Sequence, residues 1–296
     1  MEKLMSATAV TKSKQGNSIL ATKEGLFIKS EGTWKRSLHY TGRTIRDLTC
    51  SNGHIYGVGD NGLFISSSDE GGNWVIKQFP TKATIWSVVA HSSGLVITHG
   101  EKVIYLSTNS GETWTTYYPY QFLNAPSIRS ICLYKNKLLI GTKIHPKYGG
   151  VWCFDLLTQS MKQIKTEKQQ MISSMITFDH QLIVATGSCR SDVGKIEICS
   201  LSHSFDQLLW ETCLGNENQS FLDLTESDGI IYSTSTQNKA GISTISQVSV
   251  EHMQITPCNY IKGHGWRIWN EREDYIVAGL YESLEVTKSY RDNYVI

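Results

Sequence analysis

Short segments with an apolar residue at places one and four recur along the chain: Ile45-Arg46-Asp47-Leu48, Ile85-Trp86-Ser87-Val88, Ile128-Arg129-Ser130-Ile131, Ile172-Ser173-Ser174-Met175, Phe221-Leu222-Asp223-Leu224 and Trp266-Arg267-Ile268-Trp269. Their starts are 40, 43, 44, 49 and 45 residues apart, a period that points to a propeller or a solenoid. One period before Ile45 lies Leu4-Met5-Ser6-Ala7, which fits the same pattern and makes seven units. After each segment comes a turn, such as Ser51-Asn52-Gly53-His54 or Glu226-Ser227-Asp228-Gly229, and then a second β-rich run such as Ile230-Ile231-Tyr232-Ser233. Helical periodicity is nearly absent. The pattern predicts an all-β fold, a seven-bladed β-propeller of four-stranded antiparallel blades, with residues 1–296 as one domain. How the ring closes is open between seven contiguous blades and an N-terminal strand that completes the last one.

Trp34, Trp74 and Trp114 add a second register, 40 residues apart, at the head of the expected fourth strand. Met161, Trp210, Met253 and Tyr294 take that place in later units. Before Trp74 the chain reads Ser67-Ser68-Asp69-Glu70-Gly71-Gly72-Asn73, and before Trp114 it reads Ser107-Thr108-Asn109-Ser110-Gly111-Glu112-Thr113. Both have the form S-x-[DN]-x-G-x-x-W, and Ser30-Glu31-Gly32-Thr33-Trp34 is a shortened copy. This resembles the Asp-box, or BNR repeat, of sialidases, sortilin-type receptors and a photosystem assembly factor. The resemblance implies a propeller and no particular activity. Its residues suit a tight turn: Asp or Asn accepts backbone N–H groups, Gly takes φ > 0, and Trp packs between neighbouring sheets.

In such propellers the first strands line a central channel and ligands enter at its mouth. Place two of the recurring segment holds Arg46, Trp86, Arg129 and Arg267, and guanidinium forks bind carboxylates or phosphates bidentately. The competing reading pairs these arginines with Asp47 and Asp223, so that they hold the blades together. Candidate ligand-binding residues are Arg46, Arg129, Arg267, Trp86, Tyr120, His145 and Tyr281. Tyr120 comes from Tyr117-Tyr118-Pro119-Tyr120-Gln121-Phe122 and His145 from the basic, aromatic stretch Lys143 to Gly150. Arg43, His99, Cys189-Arg190 and His264 are further contributors from other loops.

Composition removes several classes. Lys and Arg total 28 against 27 for Asp and Glu, a net charge of +1, so no overall field draws in nucleic acid or an anionic membrane. No apolar run reaches the roughly 20 residues of a membrane span, and Met1 to Gly16 is too polar for a signal-peptide core. Seven cysteines without a CxxC pair suit reduced thiols and a cytoplasmic location rather than a disulfide framework. The nine histidines show neither HxH nor HExxH spacing, so neither a metal nor another cofactor is expected.

Three functions fit these residues. The first is a binding protein that recognises an anionic small molecule or an acidic protein segment. The second is an enzyme at the same mouth, a sialidase-like hydrolase or a propeller lyase. Here Tyr281-Glu282 and Asp47 or Asp60 are the residues to test, but no Arg-Ile-Pro motif accompanies them. The third is an assembly scaffold that uses blade faces.

Overall fold

A computed structural model describes residues 7–188, 194–201, 205, 208–215, 219–271, 274–279 and 284–287. The chain is an all-β propeller built of antiparallel sheets in which sequential strands pair. Blade 1 comprises Ala7–Lys12, Ser18–Thr22, Gly25–Ser30 and Thr33–His39. Blade 2 comprises Ile45–Ser51, His54–Gly59, Leu63–Ser67 and Val75–Gln78. Blade 3 comprises Ser87–Ala90, Val96–His99, Ile104–Ser107 and Thr115–Tyr117. Blade 4 comprises Ile128–Tyr134, Lys137–Thr142, Gly150–Asp155 and Met161–Thr166. Blade 5 comprises Met171–Phe178, Gln181–Gly187, Ile196–Ser200 and Glu211–Thr212. Blade 6 comprises Phe221–Ser227, Ile230–Ser235, Ile242–Ser249 and Gln254–Lys262.

The expected count is corrected: among the described residues there are six four-stranded blades, not seven. The strands Gly265–Glu271, Asp274–Gly279 and Leu284–Thr287 form a sheet of three. The recurring segment marks where a sheet begins and carries no information on how many strands follow. Tyr294, Leu4 and Met5 lie outside the described residues. The chain divides into two compact units, one holding blades 1 to 3 and the other blades 4 to 6.

Within each unit, burial falls from the inner strands to the outer ones. Second strands such as Ser18–Thr22 are buried at every residue, because sheets cover both of their faces. Fourth strands such as Val75–Gln78 carry exposed residues, Val75 and Ile76 among them. Ile45, Ile55, Leu63 and Ile65 of blade 2 pack with Ile19, Ala21 and Leu26 of blade 1. Blades 4 and 5 share a corresponding core that includes Leu139, Val151, Ile172 and Val184.

The first strands contain a repeated irregularity. Pairing slips between Ala7 and Ala9, Ile45 and Asp47, Ile128 and Ser130, Ile172 and Ser174, and Phe221 and Asp223. Place two is therefore a β-bulge, the extra residue that a bulge re-aims out of the ladder. Blade 1 shows the same slip with Thr8 at its centre, so the unit's segment starts at Ala7 rather than Leu4.

In blades 2, 4, 5 and 6, place three fastens the sheet to the next one in the chain. Asp47 accepts the Val88 N–H at 3.0 Å, and the Ser130 hydroxyl donates to the Ile172 carbonyl at 2.9 Å. Ser174 accepts the Leu224 N–H at 3.2 Å, and Asp223 accepts the Ile268 N–H at 3.0 Å. Val88 and Leu224 are at place four of their segments, so Ile268 is too. That shifts the last segment to Gly265-Trp266-Arg267-Ile268. The buried state of Gly265 and Ile268 agrees with this register, since places one and four are the core positions.

In blades 2, 3 and 5 a tryptophan plugs the blade against the one before it. Trp74 packs beside Ile28 and Leu38 of blade 1, and Trp114 meets Phe64 and Phe79 of blade 2 at ring distances of 5.3 and 4.4 Å. Trp210 joins the core shared by blades 4 and 5, with the Lys165 ammonium 4.5 Å from its ring centre, and Met253 joins that of blades 5 and 6. The turns before Trp74 and Trp114 have the same internal bonding. Ser67 Oγ donates to Asp69 Oδ1 at 2.8 Å and accepts the Gly71 N–H at 2.9 Å, while Asp69 Oδ1 accepts the Asn73 N–H at 2.8 Å. Ser107, Asn109, Gly111 and Thr113 repeat this at 2.9, 2.8 and 3.0 Å.

Candidate functional site

In the first unit, the bulge at place two turns Arg46 away from the strand ladder and toward the turn Asp60–Gly62, which links the second and third strands of blade 2. Arg46 donates through Nε and Nη2 to the two Asp60 oxygens, each at 2.9 Å. This side-on grip leaves Nη1 without a hydrogen-bond partner among the described residues. The guanidinium carbon lies 5.4 Å from the ring centre of Trp86, the place-two residue of blade 3. Trp86 is 39% exposed, although an indole is costly to leave in water. The Thr84 hydroxyl also donates to Asp60, at 3.3 Å. Burial alone would raise the Asp60 carboxyl, but hydrogen bonds and charge from Arg46 hold it below the usual carboxylate value, helped by Thr44 and Thr84. Asp60 therefore stays ionised and keeps the guanidinium fixed. Just beyond it, Arg43 Nη1 donates to the Asn61 carbonyl at 3.2 Å and to Gln78 Oε1 at 2.6 Å.

In the second unit, Arg129 is half-buried at the bulge of blade 4, the place equivalent to Arg46. Arg267 is not equivalent to them. It stands at place three, and its Nη1 reaches Asp223 Oδ1 at 3.3 Å with only 20% of the side chain exposed. Asp223 also holds the Ile268 N–H, so Arg267 belongs to the fastening between blade 6 and the three-stranded sheet. Trp266 takes place two there, as Trp86 does in blade 3. Sequence spacing put three arginines in one position; the structure aligns two, because the last segment starts one residue earlier, at Gly265.

Tyr120 and His145 come together through intermediates. Tyr120 is 8% exposed and packs edge-on against Trp152 at 5.5 Å and beside Phe122 at 5.7 Å. Burial pushes its phenol pKa far upward, so the hydroxyl stays protonated. Phe122 in turn meets Tyr148 at 4.3 Å, and Tyr148 stacks on His145 at 5.5 Å. His145 Nδ1 accepts the Tyr148 N–H at 2.9 Å, which leaves the proton of the neutral ring on Nε2. Tyr120 is thus a wall behind the loop, and His145 with Tyr148 is its outer face. His99 is fully buried, with Nδ1 2.7 Å from the Gly100 carbonyl oxygen, and takes no part in a loop surface. Tyr281, Glu282, Cys189 and Arg190 lie outside the described residues.

No group of three or more metal-ligating side chains occurs among the described residues. The six described cysteines are free thiols, and burial raises Cys132, Cys199 and Cys213 to about 11, 12 and 11. Such thiols serve as small apolar side chains rather than nucleophiles. Sequence reasoning missed Asp60 as the partner of Arg46; its only signal was a position in a second-to-third strand turn.

No known protein-family profile matches the chain. By fold it is similar to YCF48 from Cyanidioschyzon merolae, with a TM-score of 0.72 at 11% identity, covering 96% of this chain and 95% of that one. It is similar also to YCF48 bound to D1 peptide, with a TM-score of 0.68 at 14% identity over 97% and 95% of the two chains. At these identities the likeness establishes the propeller fold. In sequence, the chain is 38% identical over 280 residues to the uncharacterized protein YkuO of Bacillus subtilis (strain 168), covering 93% of this chain and 94% of that protein. The chain belongs to the family of YkuO.

Proposed function

We propose that this propeller binds an acidic segment of a partner protein in the cytoplasm, with Arg46 and Trp86 as its reading surface. One observation carries the reading: a guanidinium held in place by Asp60, backed by an exposed indole, with Nη1 left to donate. A fixed fork loses little freedom when a carboxylate docks, and an exposed aromatic beside it offers apolar contact to the same segment. The bulge supports this use, since it aims a side chain at the cost of ladder pairing in a strand that is otherwise regular. The similar fold of YCF48 bound to D1 peptide supports a peptide partner over a free metabolite. The two serine–Asp/Asn turns are of the Asp-box type on this reading, and serve the blades rather than the partner.

The test is fluorescence anisotropy with a labelled hexapeptide of alternating glutamate and leucine. Arg46→Ala should weaken binding about tenfold, near 1.4 kcal/mol, and Trp86→Ala somewhat less. Arg46→Lys should rescue only partly, because an ammonium cannot be gripped side-on. Unchanged affinity in Arg46→Ala overturns the reading.

A further inference from the structure

At one end of blades 5 and 6 a cavity of about 550 Å³ lies beside the turn after Phe178, between it and the turn that ends the third strand of blade 6. In the first unit the same corner is closed. There Lys14 Nζ donates to Asn52 Oδ1 at 3.1 Å, and the Gln15 N–H donates to Glu70 Oε2 at 3.3 Å. In blade 3 the Ser110 N–H closes onto the Gly94 carbonyl at 2.9 Å. Glu70 and Ser110 are both turn residues of the S-x-[DN]-x-G-x-x-W motif, which blade 6 lacks. Blade 6 turns instead through Val250, Glu251 and His252, and the corner stays open.

The open corner has a consistent chemistry. Asp179 and Glu251 line it, and no Lys or Arg stands among its described lining residues. Gln181 Oε1 is a buried acceptor in the same wall with no hydrogen-bond partner among the described residues. Phe178, Ile230 and Val250 supply apolar surface, and Ile230 is 42% exposed. A second cavity of about 560 Å³ shares Gln181, Val250 and Glu251 and adds the Glu211 carboxylate and the exposed Leu209. The two share a wall and form one trough whose charged lining side chains are all acidic.

We infer that this trough docks a basic, extended segment of a partner protein, with Lys or Arg side chains directed at Asp179, Gln181 and Glu251 and apolar ones laid on Phe178, Ile230 and Val250. Charge complementarity selects the occupant: three acceptors without a cation of their own are satisfied by a donor that carries positive charge. The apolar walls favour a peptide over a free polyamine, because a polyamine has no side chains to bury there. This site is independent of the one at Arg46 and has the opposite charge preference.

The probe is a labelled hexapeptide of alternating arginine and leucine, read by anisotropy on the full chain. Asp179→Asn with Glu251→Gln should reduce its affinity at least tenfold, and Ile230→Ser about threefold, while Arg46→Ala leaves it unchanged. Asn tolerates the left-handed backbone at Asp179, φ 46°, so the double variant keeps the turn. A circular dichroism melt checks that it folds. The inference is overturned if the peptide does not bind or if the double variant binds as wild type does. Displacement by spermidine at the peptide's own concentration would also overturn it, showing that charge alone is read. Loss of the acidic hexapeptide's binding in Arg46→Ala, with the basic one retained, separates this site from the first.

Discussion

Blades 2 and 3 and blades 5 and 6 solve the same packing problem with different turns. In blades 2 and 3 a serine, an Asp or Asn and a glycine bond within the turn before the plug residue, and the turn lies against the preceding blade and the neighbouring hairpin. In blades 5 and 6 those residues are gone, yet Trp210 and Met253 still fill the seam with the preceding blade. The plug is thus what blade packing requires, through buried apolar area. The polar turn satisfies its own backbone and shuts a corner, and its loss leaves the seam intact while opening a surface with free acceptors.

The largest effect expected from this contrast is at glycine. Gly111 has φ +85°, and a Cβ there would stand 2.4 Å from the Phe64 ring. Phe64 is fully buried and wedged by Phe79 and Trp114, so it has nowhere to go. Gly229, in a hairpin turn of blade 6, has φ +79° with nothing within 4 Å of an added Cβ. Gly111→Ala should therefore combine left-handed strain with overpacking, about 2–4 kcal/mol, while Gly229→Ala meets strain alone, about 1–2 kcal/mol. Urea unfolding of the two variants measures the gap; equal losses would mean that the turn of blade 3 is as open as that of blade 6.

A smaller effect separates the two plugs. The Trp74 indole N–H donates to Ser37 Oγ at 2.7 Å and to the Gly71 carbonyl at 3.1 Å. The Trp210 N–H is buried with no partner among the described residues. Replacing each by Phe removes a hydrogen bond in the first case and an unsatisfied donor in the second. Trp74→Phe should cost about 1 kcal/mol more than Trp210→Phe. The reverse order in thermal melts would show that the polar turn contributes nothing to the seam.

How much of this was legible in the sequence depends on what leaves a residue signature. The tryptophan register did, because a half-buried indole recurring at 40-residue spacing stands out in the chain, and it located the heads of the outer strands in blades 1 to 3. The bulge did not: Thr8, Arg46, Arg129, Ser173 and Leu222 all occupy it, since a residue outside the ladder meets no common packing demand. That freedom also hid the one-residue shift that moves Arg267 to place three. Asp47 and Asp223 were legible as partners that fasten blades; they accept the backbone N–H groups of Val88 and Ile268, and Asp223 also pairs with Arg267 as the spacing suggested. The trough at blade 6 was illegible because it arises from a motif that is missing, and the carboxylates around it come from segments about 70 residues apart, Asp179 and Glu251.

The smallest effect tests the polar turn through its charge. Asp69 accepts the Asn73 backbone N–H, the Asn73 side-chain amide at 2.7 Å and the Ser67 hydroxyl, and these bonds hold its pKa down to about 2. An unfolded Asp titrates near 3.9, so the folded state binds this proton more weakly. The stabilisation from ionised Asp69 is fully present above about pH 4 and is lost as pH falls through the folded value. Asn109 fills the same place in blade 3 and carries no titrating proton. Acid should therefore disturb the turn of blade 2 while leaving that of blade 3 unchanged over the same range. An NMR titration between pH 5 and pH 2 should move the Asn73 amide signal with a midpoint near 2 and leave the Thr113 amide still. In Asn73→Ala the amide donor is gone, and the Asp69 midpoint should rise toward the unfolded value. A wild-type midpoint already near 3.9 would mean that the turn bonds are not held in solution, and that blade 2 differs from blade 6 in sequence without differing in closure.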